Sequence, residues 1–253
     1  MNCQRAGGAA EIERLVSYAA GLFIWAATAI NLLFNADDPV QWLSNLLQHE
    51  GPVFTLHDLY ETALLSAREW VSGEMTDTYQ RILGLIIISQ VPLTDETIAS
   101  LLGFQDGGRV CRTALRCLGS VIQWGEGQPA RTFHKSFPDY LTDSEHCSSK
   151  RWFIDVPEHQ HFLTGACLRI MNQRLRFNIC NLYTSHVPNA DIADLSERVE
   201  RAIPQSLSHP CLFWGHHIQH IPPGQSSLLP LILDFFQQKF LGWLEVLSLM
   251  GEV

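Results

Sequence analysis

The chain has 253 residues, of which 46% are hydrophobic and 17% are charged, and its formal net charge is −9. This composition excludes a wholly disordered protein, because the chain can bury enough surface to offset the entropy of ordering it. The acidic balance argues against a general binder of nucleic-acid backbones, which needs a basic field. The length allows one large domain or two small ones.

Residues 15–36 form an uncharged run that is long enough to cross a bilayer, for which about 20 apolar residues suffice. Polar and small residues interrupt it at helical spacing, and larger apolar residues form a second stripe. The pattern favours a buried helix packed among other helices, and a membrane anchor is the alternative interpretation. A signal peptide is not indicated, because Glu11 and Glu13 occupy the place of its basic segment.

Three more helices are predicted before residue 91. The sequence Asp-Asp-Pro at residues 37–39 is a typical helix start and opens a helix over 40–48. Amphipathic spacing predicts further helices over 56–71 and 76–90. The β-branched residues of the predicted helix over 76–90 would also suit a strand, but the length and the spacing of this segment favour a buried helix.

The segment that starts with the predicted helix over 76–90 has the order helix, helix, helix, hairpin. A cap at residues 94–97 opens a short helix, and a third helix follows over 109–118. Two β-like runs, 121–124 and 130–134, are joined by a five-residue Gly/Pro loop and predict a hairpin. This is the layout of a winged-helix domain over residues 76–142.

After a polar stretch at 144–150 the chain is predicted to be helical again, over residues 157–175, 191–203, 207–221 and 228–249. The predicted fold class is therefore mainly α. It comprises a helical domain (1–75), a winged helix with a small β-hairpin (76–142) and a C-terminal helical domain (143–253).

Seven cysteines are spread irregularly along the chain, with an odd count and no Cys-x-x-Cys motif. A disulfide framework is therefore not indicated, and we expect reduced, buried thiols in a cytoplasmic protein. The sequence also lacks GxxxxGK[ST], GxSxG, HExxH and GxGxxG. Cys147, Ser136 and Ser144 lie near His134 and His146 along the chain, but proximity alone supplies no activating base. We expect neither enzymatic activity nor a catalytic residue.

His216 and His220 stand four residues apart on a predicted helix, with Cys211 before them. This spacing could bring two imidazoles to one metal ion, but a closed zinc site needs four ligands and no carboxylate accompanies them. His159 and His161 diverge on a helix. We therefore predict no metal site and interpret these histidines as structural.

Arg109, Arg112 and Arg116 share one face of the third helix of the winged-helix segment, where a DNA-reading helix would lie. Residues 76–140 contain six acidic and six basic residues, so their net charge is zero. A surface that tracks phosphates is clearly basic. A solvated face or a domain contact is therefore favoured, and a winged-helix DNA-binding protein that uses these arginines is the alternative.

His134 follows the second predicted strand and opens the run HKSFPDYL. A histidine at a strand-to-helix junction can point into a domain interface and donate a hydrogen bond to an anion there. Taken by itself, however, this residue is better interpreted as a plain buried histidine or a helix-cap contact.

The run RTFHKSFPDYLTD (131–143) resembles the end of the winged-helix domain in STAND NTPases of the NACHT class, the NOD-like receptors abundant in mushroom-forming fungi. Five other runs resemble the same family in the same order. They are GLFIWAATAINLL (21–33), LHDLYETAL (56–64), ILGLIIISQVPLTDETIASLLGF (82–104), LSHPCLFWGHHI (207–218) and FLGWLEVLSLMG (240–251).

The resemblance implies a non-catalytic regulatory region of a signal-transduction ATPase of innate immunity. In that family a P-loop domain binds ADP or ATP, a helical domain and a winged helix close over the nucleotide, and further helices lead to a repeat sensor, often of the WD40 type. This chain would correspond to the part between the P-loop domain and the sensor, and so to a truncated receptor.

The resemblance also assigns residues that would contact the nucleotide when a P-loop domain is present. His134 matches the histidine of the Met-His-Asp signature, which approaches the β-phosphate of ADP, with Phe133 at the Met and Lys135 at the Asp. Gly21 and Phe23 fall in a helical-domain motif that usually reads Gly-Leu-Pro, with Phe23 at the proline.

The expected partners are accordingly a P-loop nucleotide-binding domain, a WD40-like sensor domain and other copies in an active oligomer. No membrane and no nucleic acid are expected as partners. No cofactor is expected in this chain itself, since ADP or ATP belongs to the intact parent protein.

Overall fold

The computed structural model describes residues 3–36, 38–47, 54–66, 73–184, 186–222 and 226–252. It is mainly helical with one small antiparallel hairpin, so the predicted fold class is confirmed. The helices and strands in chain order are α1 (Cys3–Ala19), α2 (Phe23–Asn35), α3 (Pro39–Leu47), α4 (Leu56–Ser66), α5 (Gly73–Ile88), α6 (Asp95–Leu102), α7 (Arg109–Cys117), β1 (Ile122–Gln123), β2 (Arg131–Thr132), α8 (Ser136–Thr142), α9 (Val156–Arg174), α10 (Leu195–Ala202), α11 (Gln205–Gln219), α12 (Leu229–Asp234) and α13 (Phe240–Met250).

The chain forms two compact units that interleave along the sequence. Unit 1 comprises Met1–Gln80, Arg112–Glu126 and Ala130–Ile154, and unit 2 comprises Arg81–Cys111, Gly127–Pro129 and Asp155–Val253. The predicted division into domains 1–75, 76–142 and 143–253 follows chain order and stays a prediction.

The uncharged run 15–36 is not one helix, so that prediction is wrong. The helix α1 ends at Ala19, and α2 begins at Phe23. Between them Ala20 and Gly21 have φ angles of 46° and 80°. This left-handed backbone breaks the helix, and a glycine adopts it at no steric cost. No helix in the described part of the chain is long and apolar enough to cross a membrane.

The predicted helix over 228–249 is also interrupted. A π-helical turn, Phe235–Lys239, separates α12 from α13. The extra residue of such a turn changes which side chains face inward. Here Phe235 is fully buried, with its ring centroid 5.1 Å from that of Trp214 and 5.8 Å from that of Trp243.

Other boundaries differ from the predictions by a few residues. The two strands have two residues each, because pairing is limited to Ile122 with Thr132 and Gln123 with Arg131. The helix predicted over 56–71 is described only as far as Ser66. Residues 67–71, and the predicted positions Asp37 and Gln48, lie outside the described residues.

In unit 1, α2 packs against α1, α3 and α4, and α4 packs against α8. The helix α4 begins with a reciprocal cap, in which Thr55 donates its backbone N–H to Asp58 Oδ2 at 2.7 Å and accepts one from Asp58 at 3.2 Å on Oγ1. The core faces follow helical spacing. Their buried members include Trp25, Thr28, Ala29 and Leu32 of α2 and Leu59, Tyr60, Ala63 and Leu64 of α4.

In unit 2, α11 packs against α9, α6 and α13. Thr94 caps α6 as its sequence predicts, by accepting the backbone N–H of Thr97 at 3.3 Å. Gln205 at the start of α11 accepts the backbone N–H of Thr94 at 2.9 Å, which ties the two helices together. Gly84 is required for close packing, because a Cβ there would lie 1.9 Å from Cδ2 of His159.

The side chains of His209 and His217 are buried in the core of unit 2. His209 is 1% exposed and His217 is fully buried. His217 donates from Nδ1 to Gln160 Oε1 at 2.8 Å, while its Nε2 and both nitrogens of His209 have no partner among the described residues. Burial lowers the pKa of His209 to about 4 and that of His217 to about 3. Both side chains are therefore neutral in the fold.

These histidines should make the fold sensitive to acid. Because their pKa values are lowered in the fold, the unfolded chain binds protons at a higher pH than the folded chain does. The free energy of unfolding should therefore be unaffected by these histidines above about pH 6.5 and should decrease as the pH falls from 6.5 toward 4. For each of these histidines, the free energy of unfolding should be about 2 kcal/mol lower at pH 5 than at pH 7, because the folded chain keeps the ring neutral. Urea titrations at pH 7 and pH 5 measure this loss.

The variant His209→Leu should show a smaller loss of stability between pH 7 and pH 5 than the wild type, because it removes one of the two groups. The control His161→Gln changes a histidine whose ring bonds Ser227 at an exposed position. That variant should keep the wild-type pH dependence. An unchanged slope in His209→Leu would contradict the assignment.

Candidate functional site

His134 lies between the hairpin and α8 in unit 1. Beyond the last paired residues of the strands, Phe133 donates its backbone N–H to the carbonyl of Val121 at 3.4 Å, which extends the hairpin by one more bond. The helix α8 begins at Ser136. The histidine is therefore at the strand-to-helix junction that the sequence predicts, and it is exposed rather than buried.

The ring of His134 is oriented by Ser136. Ser136 donates its backbone N–H to His134 Nδ1 at 3.2 Å, and its hydroxyl Oγ lies 2.7 Å from the same nitrogen. A ring nitrogen that accepts from a backbone N–H carries no proton of its own. In the neutral ring the proton is then on Nε2, for which the described residues offer no acceptor. His134 thus presents one N–H donor.

Ser136 is in turn held by a buried tyrosine. The hydroxyl Oη of Tyr60 lies 2.8 Å from Ser136 Oγ, and Tyr60 is 2% exposed. Burial raises the pKa of Tyr60, and this outweighs its side-chain hydrogen bonds with Ser136 and Thr28, which lower it. The phenol keeps its proton. It donates this proton to Ser136 Oγ, because the single hydroxyl proton of Ser136 is directed at the acceptor Nδ1 of His134.

Thr28 completes a chain of four side chains. It is buried on α2 and hydrogen-bonds the Tyr60 hydroxyl. The chain runs from Thr28 on α2 through Tyr60 on α4 and Ser136 on α8 to His134. We call these residues the hydroxyl chain. It connects a core residue of the N-terminal helices to the exposed histidine.

Aromatic packing holds the same region. The Tyr60 ring centroid is 5.0 Å from that of Phe137 and 5.7 Å from that of Tyr140. Trp152 donates its indole N–H to Tyr140 Oη at 3.2 Å, and Lys150 forms an ion pair with Glu61. These contacts fasten α8 and the segment after it to α4.

Gly21 and Phe23 lie in the same unit, at the turn between α1 and α2. Gly21 has room around its Cα, since a Cβ there would meet nothing within 4 Å, and Phe23 is 85% exposed. Neither residue belongs to the hydroxyl chain. The structure relates them to His134 through α2, because Thr28 follows Phe23 by five residues on that helix.

Phe133 and Lys135 flank His134 and are both exposed. Phe133 is 44% exposed, which is less than Phe23. Among the described residues, no carboxylate forms an ion pair with Lys135. Its charge therefore adds to the attraction that an anion near His134 would experience.

The three arginines of α7 differ in their surroundings. Arg109 and Arg116 are exposed, and Arg112 is partly buried. Arg116 lies 3.9 Å from the carboxylate of Glu126 and 6.0 Å from the ring centroid of Trp124. Its charge is partly balanced within the protein, which reduces what it offers to a phosphate.

Of the residues that the catalytic hypothesis groups together, Ser136 and His134 are in contact, at 2.7 Å, whereas Cys147 and His146 have other surroundings. Burial raises the pKa of Cys147 to about 11, so its thiol is protonated and unreactive at neutral pH. His146 is bound instead to Asp143, at 2.8 Å. No group of three metal-ligating side chains occurs in the described ranges. His220 donates from Nδ1 to the carbonyl of His216 at 2.9 Å.

None of the six cysteines whose side chains the structure describes forms a disulfide. Five of these six are buried and Cys117 is exposed, so the expectation of buried thiols is wrong for that residue. Its position at the last turn of α7, beside Arg116, puts it on the outer face of that helix.

No protein-family model, no curated protein and no solved structure matches this chain. The resemblance to the NACHT class therefore stays a prediction that depends on the sequence runs quoted above. The site is described by its own geometry alone: an exposed histidine, oriented by two hydroxyl groups that reach into the core of unit 1.

The hydroxyl chain should contribute measurably to stability. Replacing Tyr60 by Phe removes the donor to Ser136 and should lower the free energy of unfolding by about 1 kcal/mol, the usual net value of one hydrogen bond. Ser136→Ala should cost a similar amount. In a double-mutant cycle by urea titration the two losses should not add, because both remove the same bond.

Tyr183→Phe is the matched control, since Tyr183 is 94% exposed. It should change the free energy of unfolding by no more than about 0.5 kcal/mol. Strict additivity of Tyr60→Phe and Ser136→Ala would show that the two hydroxyls are not coupled.

Proposed function

We propose that this chain is the non-catalytic regulatory region of a NOD-like signalling ATPase of the NACHT class, and that it closes over ADP or ATP held by a P-loop domain that is not in this sequence. In this role His134 donates its Nε2–H to the β-phosphate of ADP. The oriented histidine of the hydroxyl chain is the observation that carries the proposal.

The support comes from the position of the proton on the neutral ring of His134. Because Nδ1 accepts from the backbone of Ser136, the remaining nitrogen is a donor, and it has no acceptor among the described residues. A phosphate oxygen is a strong acceptor for such a group. The neighbouring cation of Lys135 favours an anion at the same place, although the family signature has an acid there.

A switch also needs a link between the nucleotide and the rest of the protein. The hydroxyl chain offers one, since a ligand that engages His134 also acts on Ser136, Tyr60 and α2. A ligand shifts a conformational equilibrium only through contacts that differ between the two states. The bond to His134 is such a contact in our proposal, and the closed state would lose it when ADP leaves.

The absence of a GxxxxGK[ST] motif from this sequence leads to the first test. The isolated chain should bind ADP or ATP weakly or not at all in isothermal titration calorimetry. A sub-micromolar affinity for the chain alone would contradict the proposal. Reading the coding DNA upstream for an in-frame GxxxxGK[ST] motif is the cheapest companion observation.

The second test joins the chain to the P-loop domain found in that reading frame. His134→Ala should then weaken ADP binding by roughly 10- to 100-fold, the range expected for a hydrogen bond to a charged group. The control is His146→Ala, because His146 is an exposed histidine of the same unit that bonds Asp143. Equal ADP affinities for both variants would contradict the role of His134.

The alternative function is DNA binding by the arginine face of α7, and it is favoured only by the exposure of Arg109 and Arg116. If it holds, the chain should shift duplex DNA at low salt, and Arg109→Gln should weaken the shift. Electrostatic binding is strongest at low ionic strength, so the absence of a shift there would exclude this function.

A further inference from the structure

One face of α2 is apolar and exposed. Phe23, Ile30 and Phe34 are 85%, 52% and 82% exposed, although they lie on a helix whose opposite face is in the core of unit 1. At 100° per residue these three side chains fall within a sector of about 40°, and Ala27 lies beside them. We call these four residues the α2 stripe.

The α2 stripe has the spacing of a helix-pairing seam. Its members are separated by four, three and four residues, which is the alternation of the two core positions in a coiled coil. Single exposed apolar residues are common on protein surfaces and need no explanation. The α2 stripe differs from them because its residues form one continuous row on a helix that carries no charge. The stripe is about 16 Å long at the rise of an α-helix.

The order of large and small residues in the stripe is suited to pairing with itself. Positions 23 and 34 are equally distant from a point between Thr28 and Ala29, and so are positions 27 and 30. Two antiparallel copies of α2 related by a two-fold axis at this point would place Phe23 opposite Phe34, and the small Ala27 opposite the larger Ile30. Such complementarity fills a seam without voids.

We propose that the α2 stripe is a homodimer interface, in which two copies of this chain pair through antiparallel α2 helices. The interface joins large apolar side chains of each copy around a two-fold axis. It does not depend on the nucleotide proposal, because it rests on the outer face of α2 and not on the hydroxyl chain.

Charge and area both favour a second copy as the occupant. The helix α2 carries no charged residue, so two copies meet without repulsion at the seam although each chain has a net charge of −9. Four phenylalanine rings, each more than four-fifths exposed, would bury on the order of 600 Å². Ile30, Ala27 and their polar neighbours would bring the total near the roughly 1,000 Å² that a specific interface needs.

Phe23 belongs both to this seam and to the residues that the nucleotide proposal assigns. A copy that is paired through α2 therefore has its Phe23 covered. The paired state and the nucleotide-closed state would then compete for the same face of the helix.

Sedimentation velocity over a range of concentrations tests the dimer on the full chain. The wild type should pass from monomer to dimer as its concentration rises through the micromolar range, and Phe34→Glu should raise the dissociation constant by about tenfold or more. Phe177→Glu is the control, since Phe177 is 90% exposed in unit 2, and it should dimerise like the wild type. Circular dichroism verifies that each variant is folded.

A mixing experiment tests the antiparallel register. Phe23→Lys and Phe34→Glu should each be largely monomeric alone, while an equimolar mixture should form heterodimers. In the antiparallel seam, position 23 of one copy faces position 34 of the other, so the mixture gains one Lys–Glu pair and keeps one Phe–Phe pair. Heterodimers that form no better than the homodimers would overturn this register.

Two outcomes would overturn the homodimer itself. One is a wild-type chain that stays monomeric at about 100 µM, well above the range of weak specific interfaces. The other is binding of the wild type, but not of Phe34→Glu, to neutral phosphatidylcholine vesicles without any dimer in solution. That result would assign the stripe to a lipid surface instead.

Discussion

The hydroxyl group of Tyr60 is the polar atom on which the core of unit 1 depends. A buried phenol without partners would cost about 1–3 kcal/mol, so the fold must bring acceptors and donors to it. It does so from two distant parts of the sequence, with Thr28 on α2 and Ser136 on α8. The surrounding rings pack without a fixed direction, whereas the hydrogen bonds set the position of α8 against α4. The orientation of His134 is therefore a consequence of core packing.

Unit 2, in contrast, contains buried polar groups that lack hydrogen-bond partners among the described residues. His209 has neither ring nitrogen bonded within the described residues, and His217 has one of its two nitrogens without a partner. Such groups cost stability, and burial makes their charged form unfavourable in the fold above about pH 4. The hydroxyl chain of unit 1, by contrast, satisfies its members and ends at a surface donor. Of the two arrangements, the hydroxyl chain is the one that links an exposed side chain to a buried residue of a helix.

The sequence predicts those features that depend on local spacing. The position of α9, the cap at Thr94 and the strand-to-helix junction at His134 all follow from patterns within a few residues. The break at Gly21 is not predicted, because a single glycine is a weak signal within a long uncharged run. The partners of His134 are not predicted for another reason. Tyr60 is 76 residues from Ser136, and helical periodicity counts its ring as apolar without regard to the hydroxyl.

The helix α2 takes part in both proposals, because its inner face belongs to the core that contains the hydroxyl chain and its outer face is the α2 stripe. Thr28 and Trp25 are on the inner face, where Trp25 donates its indole N–H to the carbonyl of Phe54 at 2.8 Å. Phe34 and the rest of the α2 stripe are on the outer face. A rigid helix that is fixed inside by directional bonds holds its outer seam in one orientation as well. If a ligand at His134 alters the bond between Tyr60 and Thr28, it acts on the helix that carries the dimer seam. Pairing and ligand binding would then be coupled through one helix, and the coupling would be reciprocal.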